Sequence, residues 1–366
     1  MWRLLQDDGA SAAGGLAGDE MLATRVGALA SPPVLRLYTY RPHAALVGRF
    51  QDVRQEVCVD WCIENDIDIG RRPTGGGAII MGPDQLGVAL ALPRRSEGFD
   101  GGARARMARF SDGIVRGLSA LGVAAEFQGK NDLGVRGRKI AGLGLHRAPS
   151  GSLLFHASIL VDLDVALMSR VLRLPLPAET DADRDAIALR TTTVRTEAGS
   201  RVPMDAVRHE IACGFAVAFG VDLESSECDS EERDLAALLE QEKYRRDAWV
   251  WQRTAVPDAT GAARTKTGGG DLEVRVRLAG GMIKAVAIEG DFFATDAAVT
   301  AVESGLRWHP TKTDAIRHTV RSLWTESRDA TVLADELATA VLRAIANAHH
   351  AVDPYGCFVT PETARG

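Results

Sequence analysis

Residues 67–80 read IDIGRRPTGGGAII: a β-type run enters two arginines, a proline and three consecutive glycines, then resumes as a second apolar run. No helix tolerates that centre, so the segment must be a loop between two strands, with backbone N–H groups free to face a ligand. Neither GK[ST] nor GxGxxG follows, which excludes a Walker loop and a dinucleotide fingerprint. A bare triple glycine is also what a tight turn beside solvated arginines looks like, so the motif alone does not decide its use.

The rest of the chain predicts an α+β domain with a mixed or antiparallel sheet and packed helices, not a regular βαβ array. Residues 34–50 read as two short strands around Pro42, residues 53–66 as a helix and residues 86–92 as a strand. Residues 104–121 carry Met107, Ile114, Leu118 and Leu121 at helical spacing. Two segments look like breaks: residues 180–201, polar and read as a mobile surface loop, and residues 252–270, rich in Gly, Ala and Thr, of which 252–267 is read as a linker. This divides the chain into a catalytic domain at 1–251, a small α+β domain at 268–350 and a tail at 351–366. In the small domain, 272–278 and 282–288 form a hairpin around Gly280-Gly281, with helices at about 294–306, 312–322 and 329–349.

A net charge of -6, from 43 basic and 49 acidic residues, gives no global attraction to nucleic acid or to an anionic membrane. No apolar run approaches the ~18 residues of a membrane span, and the first residues carry acids where a secretion signal is apolar, so the cytoplasm is the expected location. The five cysteines, Cys58, Cys62, Cys213, Cys228 and Cys357, form no paired ligand pattern and read as buried thiols. A metal held by protein side chains alone is not expected.

Two more segments carry chemistry. In residues 129–142, GKNDLGVRGRKIAG, the Arg136-Gly137 pair reads as a turn between strands, which puts Lys139 at the start of the returning strand with small residues after it. A lysine there can reach an acyl carbonyl and a phosphate; equally, the segment is a basic hairpin facing water. In residues 153–162, LLFHASILVD, His156 and Ser158 alternate along an apolar strand, and a lone histidine in that setting is commonly a core residue.

In order and spacing these segments resemble the lipoate-protein ligase A family. Arg71 to Ala78 resembles its arginine pair followed by a small hydroxyl residue and GGGA, Asn131 to Gly142 its Asn-Asp hairpin with Lys-Ile, and His156 to Ser158 its His-Gly-Thr strand. Asp19-Glu20 and Gly48-Arg49-Phe50-Gln51 match its opening; Lys243-Tyr244, Trp249 and the stretch from Glu289 to Phe293 resemble its second domain. The resemblance implies a fold shared with biotin ligases, and ATP with Mg²⁺ activating lipoate or a related small acid to an acyl adenylate. It implies acyl transfer to a lysine of a lipoyl domain in a 2-oxoacid dehydrogenase or a glycine-cleavage H-like protein. On this reading Lys139 is catalytic, and Arg72, Thr74, Gly75, Gly76, Gly77, Ala78, Gly142 and His156 bind the acid. Asn131, Asp132, Lys139 and Ser158 serve the nucleotide, with Asp132 also a candidate contact to Mg²⁺.

Three departures stand out. Met81-Gly82 replaces the family's His-Asp pair, Leu143-Gly144 replaces Ser-Ala after Gly142, and Ala157 replaces glycine. Transferases of the same fold use a cysteine and no ATP; in them the thiol falls where this sequence reads Glu126-Phe127-Gln128-Gly129. A silent relative that only binds an acyl group or a lipoyl domain is the third alternative, favoured by the loss at Met81-Gly82 and opposed by Lys139.

Overall fold

The computed structural model describes residues 1–94, 101–173, 189–199, 202–252, 259–324 and 329–348. It forms two compact units. The first comprises Met1–Arg49, Val53–Thr74 and Ala78–Gln252; the second takes the remaining C-terminal residues together with Phe50–Asp52 and Gly75–Gly77.

The first unit runs β1 (Trp2–Ala10), α1 (Ala12–Gly27), β2 (Val34–Tyr40), β3 (Ala44–Val47), α2 (Val53–Glu56), α3 (Val59–Glu64), β4 (Asp68–Arg71), β5 (Ile79–Met81), β6 (Gln85–Leu92) and α4 (Ala103–Ala120). It continues with β7 (Glu126–Gln128), β8 (Asp132–Val135), β9 (Arg138–Arg147), β10 (Leu153–Leu160), α5 (Val165–Val171), helices over Val194–Glu197, Met204–Phe219 and Ser230–Leu239, and β11 (Leu223–Ser225). Eight strands make one sheet in the order β11-β1-β2-β6-β10-β9-β8-β7, parallel at β11-β1-β2 and antiparallel from β2 onward. Its middle strands β2 and β6 are buried along their whole length, which is why residues 86–92 show no polar alternation. A second sheet, β4-β3-β5, sets β4 parallel and β5 antiparallel to the same strand β3. The RRPTGGGA loop therefore crosses the end of β3: the Arg72 N–H donates to the Val47 carbonyl at 2.9 Å, and the Arg49 N–H to the Thr74 carbonyl at 2.8 Å.

The helix expected over 53–66 is broken. Val57 bridges to Leu172 and the Cys58 N–H donates to the Val171 carbonyl, so tertiary pairing replaces the helical bonds between α2 and α3. The expected loop at 180–201 lies partly outside the described residues, and where it is described it is no loose loop. Lys139 pairs in parallel with Thr191, Val194 is fully buried, and the Glu197 carboxylate accepts from Arg136, Arg138 and Thr192.

In the second unit β12 (Gly261–Thr267), β13 (Gly270–Ala279), β14 (Met282–Gly290) and β15 (His309–Pro310) form an antiparallel sheet, with helices at Asp296–Leu306, Thr313–Trp324 and Ala334–Ala346. The hairpin and three helices stand where the sequence predicts them. The linker is the correction, because residues 261–267 are a strand paired along β13. Lys243, Tyr244 and Trp249, matched by resemblance to the second domain, belong to the first unit. Among the described residues no helix is long and apolar enough to cross a membrane.

Candidate active site

The antiparallel pairing of β6, β10 and β9 sets His156 opposite Gly144 and Ser158 opposite Gly142. Alternation along a strand then puts all four on one face, the two levels ~7 Å apart.

At the outer level, Lys139 Nζ lies 2.8 Å from Asp132 Oδ1. A Cβ on Gly142 would sit 3.2 Å from that ammonium and 3.9 Å from Ser158 Oγ, so the glycine is what lets the lysine side chain lie close over the strand beside the hydroxyl. The Lys139 main chain is fixed on both sides. It pairs with Gly134 of β8, and where β10 has ended, its N–H donates to the Arg190 carbonyl and its carbonyl accepts from the Thr192 N–H, at 2.9 and 2.8 Å. Glu197 anchors that strap to the hairpin through Arg136 and Arg138. Burial raises the Glu197 pKa, but hydrogen bonds from Thr192 and Arg136 outweigh it and hold the carboxyl below its ordinary range. Asn131 is tied to β9, its side-chain amide donating to the Leu143 carbonyl at 2.9 Å.

At the inner level, Thr74 Oγ1 and His156 Nε2 are 2.8 Å apart, both side chains buried. A Cβ on Gly144 would stand 2.3 Å from that Nε2, so the departure to glycine is what lets the imidazole reach the threonine. Behind it, His156 Nδ1 is 3.9 Å from Asp19 Oδ2, and Asp19 also takes Arg36 at 2.8 Å and the Tyr38 hydroxyl at 2.9 Å. Burial opposes the Arg36 charge, but Asp19 and Asp7 more than offset it and its pKa is raised; burial and then Asp19 push the Tyr38 phenol well up. Sequence reasoning quoted Asp19 only as part of a helix start and did not reach Arg36 or Tyr38. Their one sequence signal is an acid and an arginine within otherwise apolar elements.

The two loop arginines are buried, not solvated. Arg71 donates to the carbonyls of Gly48, Arg49, Trp249, Val250 and Gln252, which makes it a clamp on the chain. Arg72 donates to the Leu46 carbonyl at 2.6 Å, and burial lowers its pKa to about 10. Ala78 packs in an apolar cluster with Cys62 and Val53. Gly75, Gly76 and Gly77 are grouped with the second unit, where Gly76 N–H donates to the Phe292 carbonyl at 3.4 Å and a Cβ on Gly75 would meet that oxygen at 2.0 Å. Met81 is buried, and the His43 ring stands 2.3 Å from where a Cβ on Gly82 would be. Among the described residues no three His, Cys, Asp or Glu side chains gather as a metal site. Of the cysteines, Cys62 is buried, its thiol pushed up to about 11 by desolvation, while Cys213 is exposed, contrary to expectation; Cys357 lies outside the described residues.

A mixed sheet carrying a lysine hairpin, a glycine-cleared floor and a small antiparallel second unit defines an acyl-group enzyme of the lipoate ligase fold. The chain belongs to the lipoyl protein ligase A/B catalytic domain family, whose profile matches residues 11–216; that of the bacterial lipoate protein ligase C-terminus matches residues 257–338. Among its relatives is the octanoyltransferase LipM of Kyrpidia tusciae, 32% identical over 69% of this chain and 99% of its own length. The bi-partite lipoate protein ligase of Thermoplasma acidophilum, described with its E2 lipoyl domain, superposes with TM-score 0.60 at 26% identity, over 69% of this chain and 98% of its own. The P. falciparum LipL1 in complex with lipoate shares the fold over 93% of this chain and 99% of its own, with TM-score 0.71 and 15% identity.

Proposed function

We propose that this enzyme is an ATP-dependent lipoate-protein ligase of the cytoplasm, which converts lipoate or a related acid to its acyl adenylate and passes the acyl group to a lysine of a lipoyl domain, in a 2-oxoacid dehydrogenase or a glycine-cleavage H-like protein. The observation that carries it is the Lys139 site taken with what stands beside it. An ammonium fixed at main-chain level over a cleared floor is a charge placed for phosphate and carbonyl oxygens. Where a thioester-forming transferase would carry its thiol, β7 carries Glu126, Phe127 and Gln128. Asp132 and Ser158 suit a nucleotide whose Mg²⁺ arrives with its phosphates, Asp132 offering one carboxylate. Arg72, Thr74, Ala78, Gly142 and His156 would line the acid.

The second reading is transfer from an acyl thioester without nucleotide. The names of its relatives favour it more directly than the first, since several are octanoyltransferases. The chain's own residues favour the ligase. One experiment separates them: apo lipoyl domains incubated with ATP, Mg²⁺ and a panel of acids, or with octanoyl thioester alone, and weighed intact by mass spectrometry. Acylation and pyrophosphate release only with ATP support the ligase; acylation from the thioester without nucleotide establishes the transferase.

A further inference from the structure

Acylating a lysine has a requirement that Lys139 does not meet. The attacking amine is protonated at neutral pH, with an ordinary pKa of ~10.4, and a fixed cation cannot take its proton. The inner level of the site holds groups that can. His156 Nδ1 faces the Asp19 carboxylate at 3.9 Å, in ion-pair range and outside hydrogen-bond range, and that negative charge favours the proton on Nδ1. Nε2 is then the acceptor of its 2.8 Å contact, and the Thr74 hydroxyl is the donor. Donating inward, Thr74 keeps its oxygen lone pairs for a ligand N–H. A station built only to bind a carboxylate would point a proton outward. Asp19 is itself held by Arg36 and by Tyr38, so its position is set before any substrate arrives.

We propose that His156, acting through the Thr74 hydroxyl, is the general base of acyl transfer, with Asp19 as its positioning residue. The acceptor ammonium gives one proton to Thr74 Oγ1 while the threonine's own proton passes to His156 Nε2, and the neutral amine so formed bonds through its lone pair to the acyl carbonyl carbon. The carbonyl carbon then releases its bond to the leaving group, whose oxygen or sulfur keeps the electron pair, and the second proton of the nitrogen goes to that leaving group or to water. The imidazolium is stabilised by the Asp19 carboxylate until it gives up its proton to the leaving group or to water. The inference rests only on lysine as acceptor, which both readings share.

The test pairs two nucleophiles. The parent and the variants His156→Gln, Thr74→Val, Thr74→Ser and Asp19→Asn are given a preformed acyl adenylate and, in parallel, an acyl thioester. The acceptor is either a lipoyl domain or hydroxylamine, which is already neutral at assay pH and needs no base. We expect His156→Gln and Thr74→Val to slow transfer to lysine by about 10²-fold or more in kcat while transfer to hydroxylamine stays within a few-fold. Thr74→Ser should recover most of what Thr74→Val loses, and Asp19→Asn should lower kcat for lysine more than it raises KM. A variant that loses both nucleophiles equally, or neither, overturns the proposal, as does a Thr74→Ser no better than Thr74→Val. Which donor the parent accepts decides between the two readings and leaves this comparison intact.

Discussion

Replacing Lys139 by methionine removes a charge while keeping most of the stem, and the structure separates its two consequences. The side chain is 37% exposed and its partner Asp132 39%, so their ion pair is screened and its loss costs stability by about 0–1 kcal/mol. The hydrogen bonds to Arg190 and Thr192 are main-chain bonds and survive. Catalysis should respond differently, because a fixed donor at developing negative charge is worth on the order of 10²-fold in rate, about 2.7 kcal/mol of barrier. Acylation of a lipoyl domain, followed by intact mass, should fall by about that factor, while the thermal midpoint moves by no more than a few degrees. Activity within a few-fold of the parent would return Lys139 to a solvated hairpin residue, and a large drop in midpoint would show that its role is structural.

Gly144→Ala should remove most activity in the same mass assay, because a Cβ 2.3 Å from His156 Nε2 forces the ring off Thr74. Glu197→Gln should destabilise the strap by about 1–2 kcal/mol, discounted for the exposure of Arg136, and speed hydrogen exchange at the Lys139 amide. Because Glu197 is held below its ordinary carboxyl value of 4.5, its contribution is full at neutral pH and fades as pH falls through the lower folded value. Exchange at that amide should therefore become less sensitive to the substitution in acid. Arg71→Lys should cost about 2–4 kcal/mol in denaturant unfolding, since one ammonium cannot satisfy five carbonyls around a planar fork. Alkylation should label the exposed Cys213 well before the buried Cys62, and on the ligase reading acyl transfer should survive it, which peptide mapping beside the activity assay would check.

The sheet, the lysine hairpin and the C-terminal hairpin were legible because each rests on local pattern: an apolar run, an Arg-Gly turn, alternation in LEVRVRL. Strand β12 was hidden by its neighbour. A Cβ on Gly261 would come within 2.2 Å of the Ala344 carbonyl, so the strand's buried positions, Gly261 and Ala263, are small, and without large apolar residues in alternation the segment reads as a linker. The strap at 189–199 was hidden for another reason. Its polar residues are satisfied by partners far along the chain, Glu197 by arginines 59 and 61 positions away, and such residues look like a solvated loop until those partners are seen. The same distance in sequence hid Asp19, which is 137 residues from His156 by number and 3.9 Å from it in space.

The second unit is not a contiguous stretch of chain. Phe50 stacks on Phe292 with centroids 4.9 Å apart and planes at 4°, and the Gly290 N–H donates to the Phe50 carbonyl. A gene fragment beginning near residue 259 would lack that aromatic partner and the three glycines at 75–77. Its hydrophobic cluster would be short one member, leaving a face of Phe292 uncovered. Modular exchange of this region between relatives thus has a hidden passenger: a graft cut at the interdomain stretch alone transfers a core without its fiftieth residue, so the position must travel with the graft or match it in the host.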